Sequence, residues 1–178
     1  PRAVSGGEHN AAAASLAGLY REAIRRHAAH PIGFRVPIEA THRHEEYNPL
    51  CGDRIVISLR VVAGTIEQAA FDGEACAICM ASASLLCSLA PGRTVAELRQ
   101  LSENLQRGLN GDAGAGLARD PGSLTSRAQS ALLQHEQAPD IQEELRPLLG
   151  VRPYPSRIRC ATLPWTVALE ALAGRAEG

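Results

Sequence analysis

Three cysteines and one aspartate in this chain sit in segments suited to presenting ligands. The segments are Asn48-Pro-Leu-Cys51-Gly-Asp53, Gly73-Glu-Ala-Cys76-Ala-Ile-Cys79-Met-Ala-Ser82-Ala-Ser84 and Arg157-Ile-Arg159-Cys160-Ala-Thr-Leu-Pro-Trp165. Three thiolates and a carboxylate make a four-ligand set for a soft or borderline metal. Such a set suits zinc tetrahedrally, and it equally suits an iron-sulfur cluster with Asp53 replacing one thiolate. The same thiols can also carry sulfur. Gly52 permits a tight bend, and residues two apart in extended chain face one side, so Cys51 and Asp53 can reach one metal from one loop. Cys76 and Cys160 are expected at helix N-termini, where the dipole and free N–H groups favour a thiolate.

The other candidate residues read more simply. Cys79 completes a Cys-x-x-Cys with Cys76, but a lone pair of this kind is weak support for redox chemistry, and packing beneath the site is the preferred reading. Cys87, among Leu85, Leu86 and Leu89, behaves as a small core hydrophobe. His42 and His44 could face one side of a strand, yet Glu45 and Glu46 follow and the run reads as a solvated loop or edge strand. His27 and His30 are expected at a helix end, and Trp165 is expected in the core.

The distant segments need a frame. A helix is expected over 11–29, with Leu16, Leu19, Tyr20, Ala23, Ile24 and His27 on its apolar face, after a disordered leader over 1–10. A short strand over 34–40 is weakened by Pro37. Residues 54–62 and 65–71 form a hairpin around Ala63-Gly64. Cys51 and Asp53 stand at its entrance and Cys76 just beyond its exit, and an antiparallel pair puts entrance and exit side by side. A small-residue helix follows over 77–90, then a helix from a capping box at Thr94 and Glu97 to about Arg107. A Gly-rich loop over 108–122 leads to short helices over 123–137 and 140–149. The last helix is expected over 161–173, with Pro164 in its first turn.

Bulk composition narrows the function classes. The 178 residues suit one domain over 11–178, with an insertion at about 108–137. Net charge is -1 and aromatics are 3%, which excludes an electrostatic or stacking case for nucleic acid. All 18 basic residues are Arg, so Lys-based Schiff-base chemistry is excluded. The apolar runs are too short for a membrane span, and the start, at Pro1 rather than Met, lacks an apolar signal region. A reducing cytoplasmic setting is the resulting expectation, where five cysteines serve as ligands or reactive thiols rather than disulfides.

These motifs resemble the NifU/IscU-like iron-sulfur assembly proteins, and specifically the SufU type. Asn-Pro-x-Cys-Gly-Asp, Cys-x-Ile-x-x-Ala-Ser-Ala-Ser and Arg-Ile-x-Cys-Ala-Thr-Leu-Pro-Trp occur in order, and Leu19-Tyr-Arg-Glu22 followed by His30-Pro31 is similar to that family's opening helix. The resemblance covers residues 15–105 and 140–172. It implies an α+β fold, with a small three-stranded antiparallel sheet, helices packed on one face and a metal site at one end. It also implies a zinc site on Cys51, Asp53, Cys76 and Cys160. IscU-type scaffolds usually carry His directly before the third cysteine. Here Arg159 stands there, and a long insertion precedes it, as in the SufU branch. The implied activity is acceptance of persulfide sulfur by Cys51 from a cysteine desulfurase of the SufS type, with Arg159 stabilising the thiolate. A [2Fe-2S] assembly scaffold on the same ligands is the alternative, and a zinc-stabilised interaction protein without thiol chemistry is the third. A monomer or weak oligomer is expected.

Overall fold

The computed structural model describes residues 6–111 and 143–174, with side chains from residue 17 onward. Three strands form the sheet: β1 (His42–Asn48), β2 (Asp53–Val62) and β3 (Thr65–Glu74), in the order β1-β2-β3. Both pairings are antiparallel. The β2–β3 turn falls at Ala63-Gly64 as expected, where φ is +50° and +79°. Positive φ at both central residues is what a two-residue hairpin loop needs to match strand twist.

Among the described residues, the helical elements are α1 (Gly6–Ala29), α2 (Ala77–Leu89), α3 (Val95–Asn110), a 3₁₀ helix (Glu143–Val151) and α4 (Pro155–Ala173). Alternation along β2 sends Asp53, Ile55, Ile57 and Leu59 to the covered face, where all four are buried. There they meet Phe71, Leu86, Leu98, Trp165 and Val167 in one continuous core. Full burial of each large aliphatic chain is worth about 1.5–3 kcal/mol. Helix α2 is buried without a break from Ala81 to Cys87, so it lies at the centre of the molecule, with α1, α4 and β3 around it. A helix wrapped this closely must be apolar and small-sided all round, and Ala-Ser-Ala-Ser supplies that.

Several boundaries differ from those expected. Helix α1 already runs from Gly6, so residues 6–10, expected to be disordered, are helical. On its expected apolar face, Leu19 is 64% exposed while Ile24 packs against the core. Residues 34–40 are not a strand. Phe34 makes a single bridge to Phe71, and the positive φ of Gly33 (+79°) and Arg35 (+54°) breaks the extended run. The first strand is instead β1, the His-rich stretch read as loop or edge. Helix α3 starts on the expected capping box and continues to Asn110, ending on Gly111 at φ +80°. The segment expected as a helix over 140–149 is 3₁₀ over Glu143–Val151, with Pro147 inside it. Helix α4 begins at Pro155, so Pro164 lies inside it rather than in its first turn. The helix expected over 123–137 and most of the insertion lie outside the described residues.

Candidate metal centre

The site is built where β1 turns into β2 and β3 passes into α2. Asn48 closes the ladder opposite Asp53 and is buried. Its carbonyl accepts the Gly52 N–H at 2.8 Å, and its side-chain Oδ1 accepts the Leu50 N–H at 3.1 Å. Gly52 supplies the positive φ, +75°, that the turn requires. Cys51 is thereby held at an exposed tip while Asp53, two residues on, points inward with 2% of its surface accessible.

Cys76 is the N-cap of α2, as expected. Its N–H donates to Asp53 Oδ1 at 2.7 Å, so the carboxylate of one segment fixes the backbone of the next. Cys160 is placed differently from the expectation. It lies in the second turn of α4, fully buried, with its Sγ 3.8 Å from the Ser156 carbonyl. The free N–H groups of that helix start are therefore not at its sulfur.

One ligand atom from each of Cys51, Asp53 and Cys160 lies within 4.8 Å of the others. Cys76 is not in this trio of converging ligand atoms; it is tied to the site through its N–H on Asp53 Oδ1. Asp53 Oδ2 is buried and has no hydrogen-bond partner among the described residues. Buried carboxylate oxygens are seldom left so. An oxygen with an open lone pair facing thiols that converge from separate elements is the arrangement a zinc-type cation completes, so the donor set fits one.

Electrostatics agree with that fit. Burial raises the Asp53 pKa, but the nearby Cys51 thiol, the hydrogen bond from the Cys76 N–H and the nearby Cys160 thiol outweigh it and hold the carboxyl below its ordinary range. Burial and then the proximity of Asp53 push Cys51 up, and burial followed by the neighbouring Cys76 and Asp53 pushes Cys160 up strongly. The expectation that a helix dipole lowers the Cys160 thiol thus fails, because burial beside a carboxylate is the larger effect. A cation bound here inverts that balance.

Arg159 follows the buried face of α4 outward. Its Nη2 donates to Glu46 Oε1 on β1 at 3.3 Å. Neither histidine of β1 reaches the site. His44 is four positions up the strand from Asn48, about 13 Å at strand rise, and His42 is turned to the Thr41 hydroxyl at 2.8 Å. Cys79 is fully buried beneath the site. Cys87 is core, with burial raising its thiol to about 12.

Two residues that frame the site had no assigned role in the sequence reading. Ser82 Oγ donates to the Ala161 carbonyl at 2.5 Å and accepts the Trp165 Nε1–H at 3.0 Å. It ties α2 to α4 beside Cys160. Ser84 Oγ accepts the Ile32 N–H at 2.8 Å and contacts His27 Nδ1 at 2.8 Å, tying α1 and the following loop to α2. The signal was present as two buried serines, Ser82 and Ser84, within the apolar stretch of α2.

With this geometry in place, the comparisons with known proteins become specific. The family model of the NifU-like N terminal domain matches residues 19–134. The chain belongs to that family. It is 29% identical over 165 residues to the zinc-dependent sulfurtransferase SufU of Bacillus subtilis, covering 93% of this chain and 96% of the relative. It is 30% identical over 158 residues to the iron-sulfur cluster assembly scaffold protein IscU of Thermotoga maritima, covering 86% and 92% of the two chains. The solved structure of the N-terminal part of a NifU-like protein from Brucella abortus shares the fold with a TM-score of 0.65 at 20% identity, over 89% of this chain and 94% of that one. No helix among the described residues is long and apolar enough to cross a membrane.

Proposed function

We propose that this protein takes part in iron-sulfur cluster assembly by accepting persulfide sulfur from a cysteine desulfurase, at a zinc site formed by Cys51, Asp53, Cys76 and Cys160. The observation that carries this reading is the contrast within the site. Cys51 is exposed on a turn, whereas Cys160 and Asp53 are buried beneath it. An acceptor must meet the sulfur of another protein, and only an outward thiol can do so. The name of the Bacillus subtilis relative, a zinc-dependent sulfurtransferase, supports the same reading.

Zinc bound by these residues would keep their thiols deprotonated and shielded. The chain's own residues do the rest. Asn48 and Gly52 hold the turn that presents Cys51. The Cys51 thiolate attacks the outer sulfur of the donor persulfide, forming the new S–S bond while the desulfurase cysteine leaves as a thiolate. Asp53, the hardest of the four donors, keeps the deeper part of the site in place through the Cys76 N–H. Arg159, beside Cys160 and reaching β1, would favour a thiolate at this end of the molecule. A desulfurase of the SufS type is the proposed partner.

A scaffold for a [2Fe-2S] cluster uses the same donors, and the Thermotoga maritima relative carries a scaffold name. Metal analysis of anaerobically purified protein, combined with desulfurase assays, separates the two. The relay predicts about one zinc per chain and desulfurase activation that is lost in Cys51→Ala. Iron with equal labile sulfide and no activation would overturn it in favour of the scaffold.

A further inference from the structure

The relay leaves Cys79 without a task, although it is buried directly beneath the site. It belongs to the first turn of α2, three residues after Cys76, the N-cap. Residues three apart on a helix have Cβ atoms about 5–6 Å apart, slightly wider than a disulfide needs. The N-cap residue closes such a gap most easily, because its backbone lies outside the helix. Cys76 has φ −65° and ψ 161°, extended rather than helical. The two thiols differ in access, since Cys76 is half-buried and Cys79 fully buried.

We infer that Cys76 and Cys79 form a peroxide-sensitive dithiol, in which Cys76 is oxidised first and Cys79 resolves it into a disulfide. In the first step the Cys76 sulfur attacks one oxygen of a hydroperoxide. The O–O bond breaks, the sulfenic acid forms, and with hydrogen peroxide the second oxygen leaves as water. In the second step the Cys79 sulfur attacks the sulfenic sulfur from below. The S–O bond breaks, the S–S bond forms, and the Cys79 proton leaves with the hydroxyl as a second water. Two electrons pass from the two sulfurs to the peroxide, and a dithiol reductant returns them.

The placement supports this assignment: Cys79 is fully buried one turn into the helix that the half-buried Cys76 caps, so its way out to solvent and oxidant runs past Cys76. Disulfide formation removes Cys76 from the donor set and leaves Cys51, Asp53 and Cys160. The expected loss of metal rests on the proposed zinc reading, whereas the disulfide itself does not.

The test exposes the protein, with the metal it carries after purification, to hydrogen peroxide. Free thiols are then alkylated, the linkage is mapped by peptide mass spectrometry, and released zinc is followed with a chromogenic chelator. The expected result is a Cys76–Cys79 disulfide that a dithiol reverses, with zinc released in step with it. In Cys79→Ala, and in Cys79→Ser as a second variant checked for native circular dichroism, Cys76 should instead proceed to sulfinic acid that a dithiol does not reverse. A disulfide joining Cys51 to Cys160, or Cys76 over-oxidised alike in wild type and both variants, would overturn the inference. A Cys76–Cys79 disulfide in protein that held no zinc at the outset would uphold it and count against the metal reading.

Discussion

Asp53 Oδ1 accepts the Cys76 N–H at 2.7 Å, while Oδ2 of the same carboxylate is buried without a partner among the described residues. One oxygen thus joins the start of β2 to the start of α2, and the other is left for a cation. If the proposed zinc site is right, this division links the stability of the chain to the metal through Asp53. Zinc-loaded wild-type protein should then melt at a lower temperature once a strong chelator is added. Asp53→Ala should show little further change on chelation. Calorimetry of the two proteins with and without chelator checks this, and an equal chelator response in both would count against Asp53 as a ligand.

Ser82 bridges the Trp165 indole and the Ala161 carbonyl in the buried seam between α2 and α4. Ser82→Ala leaves the buried indole N–H without its partner and takes one donor from the Ala161 carbonyl, at a cost of about 1–3 kcal/mol. Urea unfolding followed by the fluorescence of Trp165, the only tryptophan, measures the loss directly.

Gly73 has φ +149°, and a Cβ there would stand 2.1 Å from the Arg54 carbonyl oxygen. Backbone cannot yield as a flexible side chain does, so Gly73→Ala must open the β2–β3 ladder at the end that carries the site. The expected loss is about 3 kcal/mol or more, with weaker metal binding accompanying it. Denaturant titration and metal analysis of one preparation test both.

His27 is partly buried against α2, with its Nδ1 2.8 Å from Ser84 Oγ. Burial first, and the neighbouring Arg26 second, lower its pKa from the ordinary 6.5. The unfolded chain therefore takes up the proton before the folded one. Stability from this group is complete above pH 6.5 and declines as pH falls from there through the lower folded pKa. Thermal melts across that window should show a slope in wild type that is reduced in His27→Gln.

Arg159 and Glu46 form an exposed pair between α4 and β1, with side chains 54% and 29% accessible. Pairs of this kind contribute about 0–1 kcal/mol. Arg159→Ala should therefore leave stability nearly unchanged, so a drop in sulfur acceptance would reflect chemistry at the site. Unchanged acceptance would remove Arg159 from the mechanism.

The parts of the fold written as strong local patterns were legible in the sequence. The turn of the β2–β3 hairpin and the capping box at Thr94 rest on contacts within a few residues, and the N-cap position of Cys76 follows from where the small-residue run of α2 begins. β1 was not legible as a principal strand. His42 to Tyr47 has no apolar alternation, and it is a strand because β2 offers it a ladder. Helix α4 starts at Pro155 rather than near 161, so the proline of its first turn is Pro155 and Pro164 lies inside it. Cys160 therefore lies away from the helix terminus, and burial rather than the dipole governs its thiol. The meeting of Cys51, Asp53 and Cys160 was legible from motif order, but the depth of each residue was not. Depth depends on how α2 and α4 pack, and that turns on Ser82 and Trp165, whose hydrogen bond spans residues far apart in the chain.

The central claim concerns which sulfur receives the incoming one. The direct measurement is to incubate the zinc-loaded protein with a cysteine desulfurase and cysteine, trap persulfides by alkylation, and locate the added sulfur by mass spectrometry. The account predicts the persulfide on Cys51 and its loss in Cys51→Ala, with the fold retained. Added sulfur on Cys76 or Cys160 with Cys51 unmodified, or none on the chain while the desulfurase turns over, would contradict it.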